Sequence, residues 1–219
     1  MLFRSSQYGV SHHAIEDVAI MRVLPNMTII CPGDIYEAKA ATRAAVTIPT
    51  PVYIRIGRSD SFGSDQLLHQ NKPEFEIGKS IMMREGKDVA LVATGSMLLT
   101  AARVADKLAE AGIAVTLVSM HTVKPLDEEM IRRLTENVPC IVTLEEHTEI
   151  GGLGSAVLED VYNIHPRTKV VKLGSKDRFL HTTGSREYLL QQHGLTTDQV
   201  YETICVIAHR CKAEIGKSA

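Results

Sequence analysis

The first residues that could do chemistry are two adjacent histidines followed by two acids. His12 and His13 come directly after Ser11, and Glu16 and Asp17 come a few positions later. In a helix, His12 and Glu16 would lie one turn apart on one face, where the carboxylate could orient the imidazole and raise its pKa. Because such pairs are more often structural than catalytic, the residues alone leave both roles open.

One arginine stands at a position that suits an anion. Arg58 comes just after the strand-like run of residues 52–56, at the carboxyl edge of a predicted strand. A guanidinium there could bind a phosphate or a carboxylate through two parallel hydrogen bonds. The alternative is an ordinary arginine at a strand end with its side chain in solvent.

Further along, two acids and a histidine follow another strand-like run. Glu145, Glu146 and His147 stand at the carboxyl end of the predicted strand 140–144, where open α/β sheets usually bind ligands. Their order is not the His-Glu-x-x-His pattern of zinc sites. We expect a structural or interface role rather than direct catalysis, because acids near a buried strand end often cap turns or bridge subunits.

Two strand-to-helix junctions carry small residues that could serve either anions or packing. Gly151, Gly152 and Gly154 could let backbone N–H groups approach a phosphate at a helix N-terminus. The third glycine of a dinucleotide fingerprint would fall at Val157, however, so a tight turn with close packing is the favoured interpretation. Ser96 follows an earlier strand and is predicted to N-cap the next helix.

Alternating strands and helices must position these residues. The predicted strands cover residues 88–93, 114–119, 140–144 and 169–173, and the predicted helices cover residues 96–111, 127–137, 152–164 and 197–211. Alternation of this kind predicts right-handed βαβ units, and therefore an α/β fold with a mainly parallel sheet and helices on both faces.

A smaller α/β segment precedes this sheet. Its two strand-like runs, residues 27–31 and 52–56, flank a helix that Asp34 can N-cap, with Glu37 completing a capping box. Two strands and one crossover cannot bury a core alone, so the segment is predicted to be only part of a domain. A polar stretch marks the boundary, which predicts a partial domain over residues 1–58, a linker over residues 59–75 and a second domain over residues 76–219.

Composition excludes several classes of protein. Of the 219 residues, 44% are hydrophobic and 23% are charged, as in globular proteins. The formal net charge of −2, with scattered Lys and Arg, provides no basic surface for nucleic acid. No apolar run approaches the roughly 20 residues of a membrane span, and the first residues lack the apolar core of a signal peptide, so we predict a cytoplasmic location.

The cysteines predict neither disulfides nor a metal site. Cys31, Cys140, Cys205 and Cys211 form no Cys-x-x-Cys pair and no dense framework. Two of them end or begin apolar strand-like runs. We therefore expect reduced and mostly buried thiols, and no metal bound by this chain.

Several runs, taken together, resemble one enzyme family over nearly the whole chain. The N-terminal runs resemble the second half of the pyrimidine-binding domain of transketolases; they cover residues 9–17, 21–22, 24–27, 32–34 and 50–58. The later runs resemble the transketolase C-terminal domain, most closely that of the split-gene form with separate N- and C-terminal subunits; they cover residues 92–96, 120–126 and 143–154. Each run is weak evidence alone, but their order and spacing are specific.

The resemblance implies an enzyme that uses thiamine diphosphate and Mg²⁺ to move a two-carbon ketol unit between sugar phosphates. By position, His12 and Arg58 match the histidine and arginine that hold the phosphorylated end of the sugar in that family. Charged, oriented donors suit a phosphate dianion. Tyr8 stands where the family has an acidic residue that recognises a sugar hydroxyl, which leaves the donor and acceptor sugars open.

The resemblance also implies that the chain is incomplete as a catalyst. The family's glutamate that activates the cofactor, and the diphosphate and metal site, match nothing in this sequence, so no catalytic residue is predicted here. We expect an N-terminal transketolase subunit or an upstream segment as a partner, and a homodimer. The alternatives are 1-deoxy-xylulose-5-phosphate synthase, the beta subunit of a 2-oxo acid dehydrogenase, or a non-catalytic assembly or regulatory module. The run of residues 120–125 favours transketolase over the other two enzymes.

Overall fold

The chain folds into two sheets with helices packed between and around them. The structure is a computed structural model that describes residue 9, residues 13–57 and residues 67–218, without the side chains of residues 212–218. In chain order the elements are α1 (Asp17–Arg22), β1 (Thr28–Ile30), α2 (Ile35–Ala45), β2 (Val52–Ile54), β3 (Ile81–Arg84), β4 (Val89–Ala93), a 3₁₀ turn (Gly95–Met97), α3 (Leu98–Glu110), β5 (Val115–Ser119), β6 (Thr122–Lys124), α4 (Glu128–Asn137), β7 (Cys140–Thr148), α5 (Leu153–Ile164), β8 (Lys169–Ser175), α6 (Arg186–His193) and α7 (Thr197–Ser218).

The larger sheet has five strands in the order β3-β5-β4-β7-β8. Strands β5, β4, β7 and β8 run parallel, and β3 is antiparallel at one edge. Every residue of β4 and β5 is buried, as expected for parallel strands covered on both faces, which read as continuous apolar runs. The predicted α/β class with a mainly parallel sheet is confirmed.

Two separate cores lie on the two faces of this sheet. One face packs against α3 and α7, through residues such as Val104, Leu108 and Ile204. The other face packs against α4 and α5, through residues such as Ile131 and Val157. The predicted helices on both faces are therefore present, and α7 packs on the sheet through Val200 and Ile204, which lie one helical turn apart.

The smaller sheet joins the two halves of the chain. Its order is β2-β1-β6, with β1 and β2 parallel and β6 antiparallel to β1. The Lys124 side chain reinforces this junction, because its Nζ donates to the carbonyl oxygens of Arg22, the last residue of α1, and of Leu24, each at 2.7 Å. The C-terminal half thus supplies a strand to the N-terminal sheet. The partition at residues 59–75 stays a prediction, since residues 58–66 lie outside the described part.

Helix α2 begins with the predicted cap in a slightly different form. Asp34 Oδ1 accepts from the backbone N–H of Glu37 at 2.8 Å, as an N-cap should. The Glu37 carboxylate reaches back to the N–H of Gly33 at 2.6 Å, one residue before the N-cap whose N–H an ordinary capping box satisfies. The other carboxylate oxygen of Glu37, Oε1, faces the interior of the protein.

Two further observations bear on the predictions from composition. Among the described residues, no helix is both long and apolar enough to cross a bilayer. No disulfide joins the four cysteines, all of which lie in the described part of the chain; Cys31, Cys140 and Cys211 are buried and Cys205 is half-buried.

Candidate functional site

The two residues predicted to bind phosphate, His12 and Arg58, lie outside the described residues. The described chain resumes at His13 and breaks off after Gly57, so the structure shows the residues that follow His12 and those that precede Arg58. These segments meet at the carboxyl ends of β1, β2 and β7. The surroundings of that meeting point define the candidate site.

Arg55 connects the two segments. It follows β2 directly, and its backbone N–H donates to Ile30 O at 2.8 Å. Its side chain is only 5% exposed, with Nε 2.9 Å from Asp17 Oδ2. Its Nη2 donates to two carbonyl oxygens, those of Ala14 and Glu146, each at 3.0 Å. One guanidinium therefore binds the segment after His12, the end of β2 and strand β7.

Asp17 is held in its ionised form beside this arginine. Burial alone would raise the pKa of Asp17, but the charge and hydrogen bonds of Arg55 outweigh burial and lower it. The Tyr53 hydroxyl also donates to Asp17 Oδ2 at 2.7 Å, and burial together with this carboxylate raises the pKa of Tyr53. The result is a buried ion pair with a neutral phenol attached to it. Buried ion pairs can fix the relative positions of the segments they join even where they add little to stability.

The Glu145 carboxylate caps helix α5 from inside the protein. Its two oxygens accept from the N–H groups of Leu153 and Gly154, each at 2.8 Å. Burial nevertheless raises the pKa of Glu145 to about 7, despite these bonds. A Cβ at Gly152 would collide with Glu145 and with His147. The helix N-terminus that could have bound a phosphate is therefore occupied by an internal carboxylate, and the glycines serve close packing.

His147 is a neutral structural histidine. Its Nδ1 donates to Thr148 O at 2.7 Å, and its Nε2 accepts from the backbone N–H of Ala19 in α1 at 3.2 Å. Burial lowers the pKa of His147 to about 4. Because Nε2 faces an N–H donor, it carries no proton, and both ring nitrogens are engaged with the backbone. The ring thus anchors α1 to the end of β7.

Glu146 points to the opposite side of β7 and meets two other residues. Its Oε2 accepts from Ser96 Oγ at 2.7 Å and from Arg186 Nε at 2.8 Å. The prediction that Ser96 caps a helix is therefore wrong: the 3₁₀ turn begins after Thr94, and the Ser96 hydroxyl turns to Glu146 because a buried carboxylate needs donors. All three side chains of residues 145–147 are buried and bonded within the protein, which supports the structural role.

A second buried cluster surrounds Glu37. Its Oε1 accepts from Ser119 Oγ at 2.6 Å and lies 2.7 Å from His69 Nε2, while Asp34 Oδ2 accepts from the backbone N–H of His69 at 3.2 Å. Burial would raise the pKa of Glu37, but His69 and Ser119 lower it. Burial would lower the pKa of His69, but Glu37 raises it. The pair therefore favours a carboxylate and an imidazolium, which tie α2, β5 and the chain after residue 66 together.

His121 adjoins this cluster without joining it. Its ring stacks on Phe75, with 4.1 Å between the ring centroids and 23° between the planes. Its Nδ1 lies 3.0 Å from Thr122 Oγ1, and its Nε2 has no hydrogen-bond partner among the described residues. Burial lowers the pKa of His121. We therefore assign it to packing.

The described residues do not fit the diphosphate and Mg²⁺ of the cofactor that the resemblance implies. A Mg²⁺ ion needs several oxygen ligands in octahedral geometry, and within the described ranges no group of three or more His, Cys, Asp or Glu is arranged to hold a metal. The buried carboxylates of Glu37 and Glu145 are already bonded to the protein's own donors. No chemical step can be derived through the cofactor from these residues.

Arg55 is not among the site residues predicted from the sequence. A signal was present, because an arginine interrupts the otherwise apolar run Val52, Tyr53, Ile54 and Ile56. A buried charge directly after a strand requires a partner, and Asp17 is that partner.

Comparisons with known proteins place these features in a family. The model of the transketolase pyrimidine binding domain matches residues 5–62, and the model of the transketolase C-terminal domain matches residues 78–200. The chain is 37% identical to the transketolase C-terminal section of Methanocaldococcus jannaschii over 90% of this chain and 60% of that protein. It is 36% identical to the 1-deoxy-D-xylulose-5-phosphate synthase of Thermomicrobium roseum over 95% of this chain and 33% of that enzyme.

A solved structure supports the same assignment of the fold. The chain resembles a split-gene transketolase, solved as an inactive beta4 tetramer, with a TM-score of 0.79 and 38% identity over 89% of this chain and 62% of that one. The chain therefore spans about 60% of the length of the split-gene relatives that it matches.

Proposed function

The chain belongs to the transketolase family, and from this premise we propose that it is the C-terminal portion of a transketolase, which transfers a two-carbon ketol unit between sugar phosphates. The observation that carries the proposal is the match of 89% of the chain to a split-gene transketolase at a TM-score of 0.79. In this proposal the chain contributes substrate contacts and a subunit surface, and the complete enzyme performs the reaction.

We assign the contacts with the substrate's phosphate to His12 and Arg58. A phosphate dianion is held best by charged donors that approach it in a fixed orientation. The assignment is supported by the contacts of their neighbours, because Ala14 and Arg55 are hydrogen-bonded to each other and stand within three positions of the two residues. The residues that follow His12 and those that precede Arg58 are thereby held side by side.

The cofactor in the proposed enzyme is thiamine diphosphate with Mg²⁺, bound mainly by another part of the assembly. When bound, it supplies the carbanion chemistry that carries the two-carbon unit. The proposal leaves the cofactor-activating acid and the diphosphate site to an N-terminal transketolase subunit or an upstream segment. The chain alone is then expected to bind the cofactor weakly and to be inactive.

The exposed apolar side chains support assembly with other chains. Ile35 and Val46 at the two ends of α2 are 55% and 82% exposed, and Ile56 after β2 is 51% exposed. Strand β2 pairs with β1 and with no other described strand. Exposed apolar surface of this kind usually marks a subunit contact. We propose a homodimer of the C-terminal portion that also receives the N-terminal partner.

The experiment that tests the proposal is reconstitution. The chain is co-purified with an N-terminal transketolase subunit, supplied with thiamine diphosphate and Mg²⁺, and incubated with a ketose phosphate donor and an aldose phosphate acceptor. Mass spectrometry of the products should show an acceptor longer by two carbons, and the chain alone should give none. In a parallel mixture that contains pyruvate in place of the ketose phosphate, release of CO2 and formation of a 1-deoxy sugar phosphate would favour the synthase, as the relative from Thermomicrobium roseum suggests. No product from any mixture would favour a non-catalytic assembly module.

A further inference from the structure

A wide surface groove with positively charged walls lies between helix α2 and residues 67–75. Its volume is about 670 Å³. Helix α2 contributes Lys39 and Arg43, the other side contributes Lys72, and the apolar part of the lining includes Ala40 and Phe75. We propose that this groove is the docking site for an acidic segment of the N-terminal transketolase subunit. This inference rests on the function proposed above.

The groove carries only positive charge. Its described lining residues include no Asp or Glu, and within the described ranges Lys39, Arg43 and Lys72 form no ion pair. Lys39 and Arg43 stand four positions apart on α2, so two like charges share one face of the helix, which weakens it. In a chain with a formal net charge of −2, this local excess of positive charge indicates a binding surface for an acidic partner.

Hydrogen bonds hold the two sides of the groove together. The Tyr36 hydroxyl on α2 donates to Pro73 O, and Asp34 Oδ2 accepts from the backbone N–H of Leu68 at 3.0 Å. Between these contacts, Lys72 has a φ of 43°, in the left-handed region that side chains other than glycine rarely adopt and that is frequent at binding sites. The shape of the groove is therefore preformed, and a partner that enters it loses little binding energy to ordering this chain.

The wide exposure of the groove favours a protein segment over a small molecule as the occupant. Lys39, Arg43 and Lys72 are all exposed, whereas small-molecule sites enclose most of the ligand's surface. Ile35, which also lines the groove, is 55% exposed. Aromatic residues and arginine are enriched in protein interfaces, and the groove contains both. An acidic segment with one or two apolar side chains would satisfy the cations and cover the apolar surface together.

The charges also exclude a two-fold contact between copies of this chain at the groove. In a two-fold homodimer the same surface meets itself, so a contact centred here would set three cations against the same three cations. A head-to-tail contact avoids this repulsion but leads to rings or open chains of subunits, not to the proposed dimer. The homodimer contact is therefore centred elsewhere on the chain, and the groove is left for a different chain. In the proposed enzyme that chain is the N-terminal subunit.

The test measures the affinity of the full chain for an N-terminal transketolase subunit by surface plasmon resonance. The variant Lys39→Glu/Lys72→Glu reverses one charge on each side of the groove, and the new carboxylate at position 39 lies one helical turn from Arg43, which favours the helix. We expect Kd to rise roughly tenfold or more, largely through slower association, because like charges then meet. Raising NaCl from about 50 mM to about 500 mM should weaken the wild-type complex more than the variant complex.

Two further variants separate the groove from general charge and from stability. Arg103→Glu/Arg167→Glu makes the same change in net charge at two exposed arginines that do not line the groove, and Kd should stay within about threefold. Ala40→Phe places a bulky ring in the groove without changing any charge, and it should weaken binding at both salt concentrations. Thermal unfolding of each chain alone shows whether the variants are as stable as the wild type.

The outcomes distinguish this inference from the function on which it rests. An unchanged Kd for Lys39→Glu/Lys72→Glu would overturn the docking site and leave the transketolase function standing. If Kd is unchanged but the variant is less stable, the groove serves the chain's own fold; if instead its oligomeric state changes, the groove binds a second copy. Either result would also overturn the docking site. A wild-type chain that does not bind the N-terminal subunit would overturn the proposed function and this inference together.

Discussion

Replacing Glu37 by glutamine should destabilise the chain, and it should do so more strongly at about pH 5.5 than at about pH 8. Glu37 is completely buried, and its carboxylate is bonded by Gly33, Ser119 and His69. Glutamine keeps the shape of the side chain, removes its charge and turns one acceptor oxygen into an NH2 donor. The hydroxyl of Ser119 and a neutral His69 Nε2 can accept from this donor, while the amide oxygen keeps the bond from Gly33 N–H. The substitution therefore probes the ion pair with His69 and the charge-assisted bonds, without opening a cavity.

The contacts set the expected magnitude. A hydrogen bond to a charged group contributes about 1.5–3 kcal/mol, and one between neutral groups about 0.5–1.5 kcal/mol. Converting three bonds from the first kind to the second would cost roughly 3 kcal/mol. The neutral amide also avoids the cost of burying a carboxylate, which offsets part of this loss. The net destabilisation should be about 1–3 kcal/mol.

The direction of the pH dependence follows from the two pKa shifts. The pKa of His69 is raised above its usual 6.5, so its contribution is fully present below about pH 6.5 and is lost as the pH rises through the raised value. The pKa of Glu37 is lowered below its usual 4.5, so its contribution is present above about pH 4.5 and is lost as the pH falls through the lowered value. The ion pair stabilises the chain most between these limits.

Other histidines act in the opposite direction, so the comparison must be between variants. Burial lowers the pKa of His121, and it lowers the pKa of His147 and His193 to about 4. These groups are neutral in the folded chain, and their contributions are lost as the pH falls below about 6.5. The effects of His147 and His193 largely cancel when the wild-type chain and Glu37→Gln are compared at the same pH. The effect of His121 does not, because the Glu37 charge raises its pKa; loss of that charge lowers the pKa of His121 further and adds to the destabilisation at the lower pH.

Urea unfolding followed by circular dichroism, at fixed protein concentration, measures the free energy of unfolding at each pH. Ser119→Ala is the matched control, because it removes one bond to the same carboxylate oxygen and leaves the charge in place. Its destabilisation should be equal at both pH values. If Glu37→Gln is also equally destabilising at both, His69 is not protonated in the folded chain and the reasoning is refuted.

Three other outcomes are expected. In the assembled enzyme, Arg58→Ala should raise KM for sugar phosphates roughly ten- to a hundredfold, through loss of a charge-assisted bond of about 1.5–3 kcal/mol; an equal loss with unphosphorylated substrates would indicate a structural arginine. Gly152→Ala should destabilise the chain by about 1–3 kcal/mol in urea unfolding, because its Cβ would collide with Glu145 and His147; unchanged stability would contradict the packing described for the start of α5. Light scattering at micromolar concentration should give the mass of a dimer or a larger assembly, and a monodisperse monomer would contradict the proposed subunit contact.

Helices and strands with strong apolar patterns could be predicted from the sequence. Strand segments made of buried polar residues could not. Strand β4 agrees with its predicted bounds to within one residue, because an apolar run defines it. Helix α2 begins directly after Asp34, its predicted N-cap. Strand β7 continues to Thr148, four residues past the predicted end, because Glu145, Glu146 and His147 look like a polar turn. They are strand residues whose partners come from distant parts of the chain.

The short elements were missed for a related reason. Strands β3 and β6 have four and three residues, which are too few to show the alternation of apolar and polar side chains typical of strands. Strand β6 forms because it can hydrogen-bond to the edge of β1. Helix α6 has a weakly amphipathic sequence, and its packing against the larger sheet stabilises it. For the site, residue types and family resemblance indicated His12 and Arg58, whereas Arg55 became evident only when its partners at Ala14, Asp17 and Glu146 were visible.

The pairing of β1 with β6 affects how the chain can fold while it is being made. Ile29 pairs with Lys124, which leaves the ribosome about 95 positions later. At typical rates of about 5–20 residues per second, β1 waits roughly 5 to 20 seconds for that neighbour. During this interval an apolar strand with an open edge is exposed to aggregation and to chaperones. Because this contact is so distant in sequence, the smaller sheet is expected to form late, after the larger sheet has supplied β6.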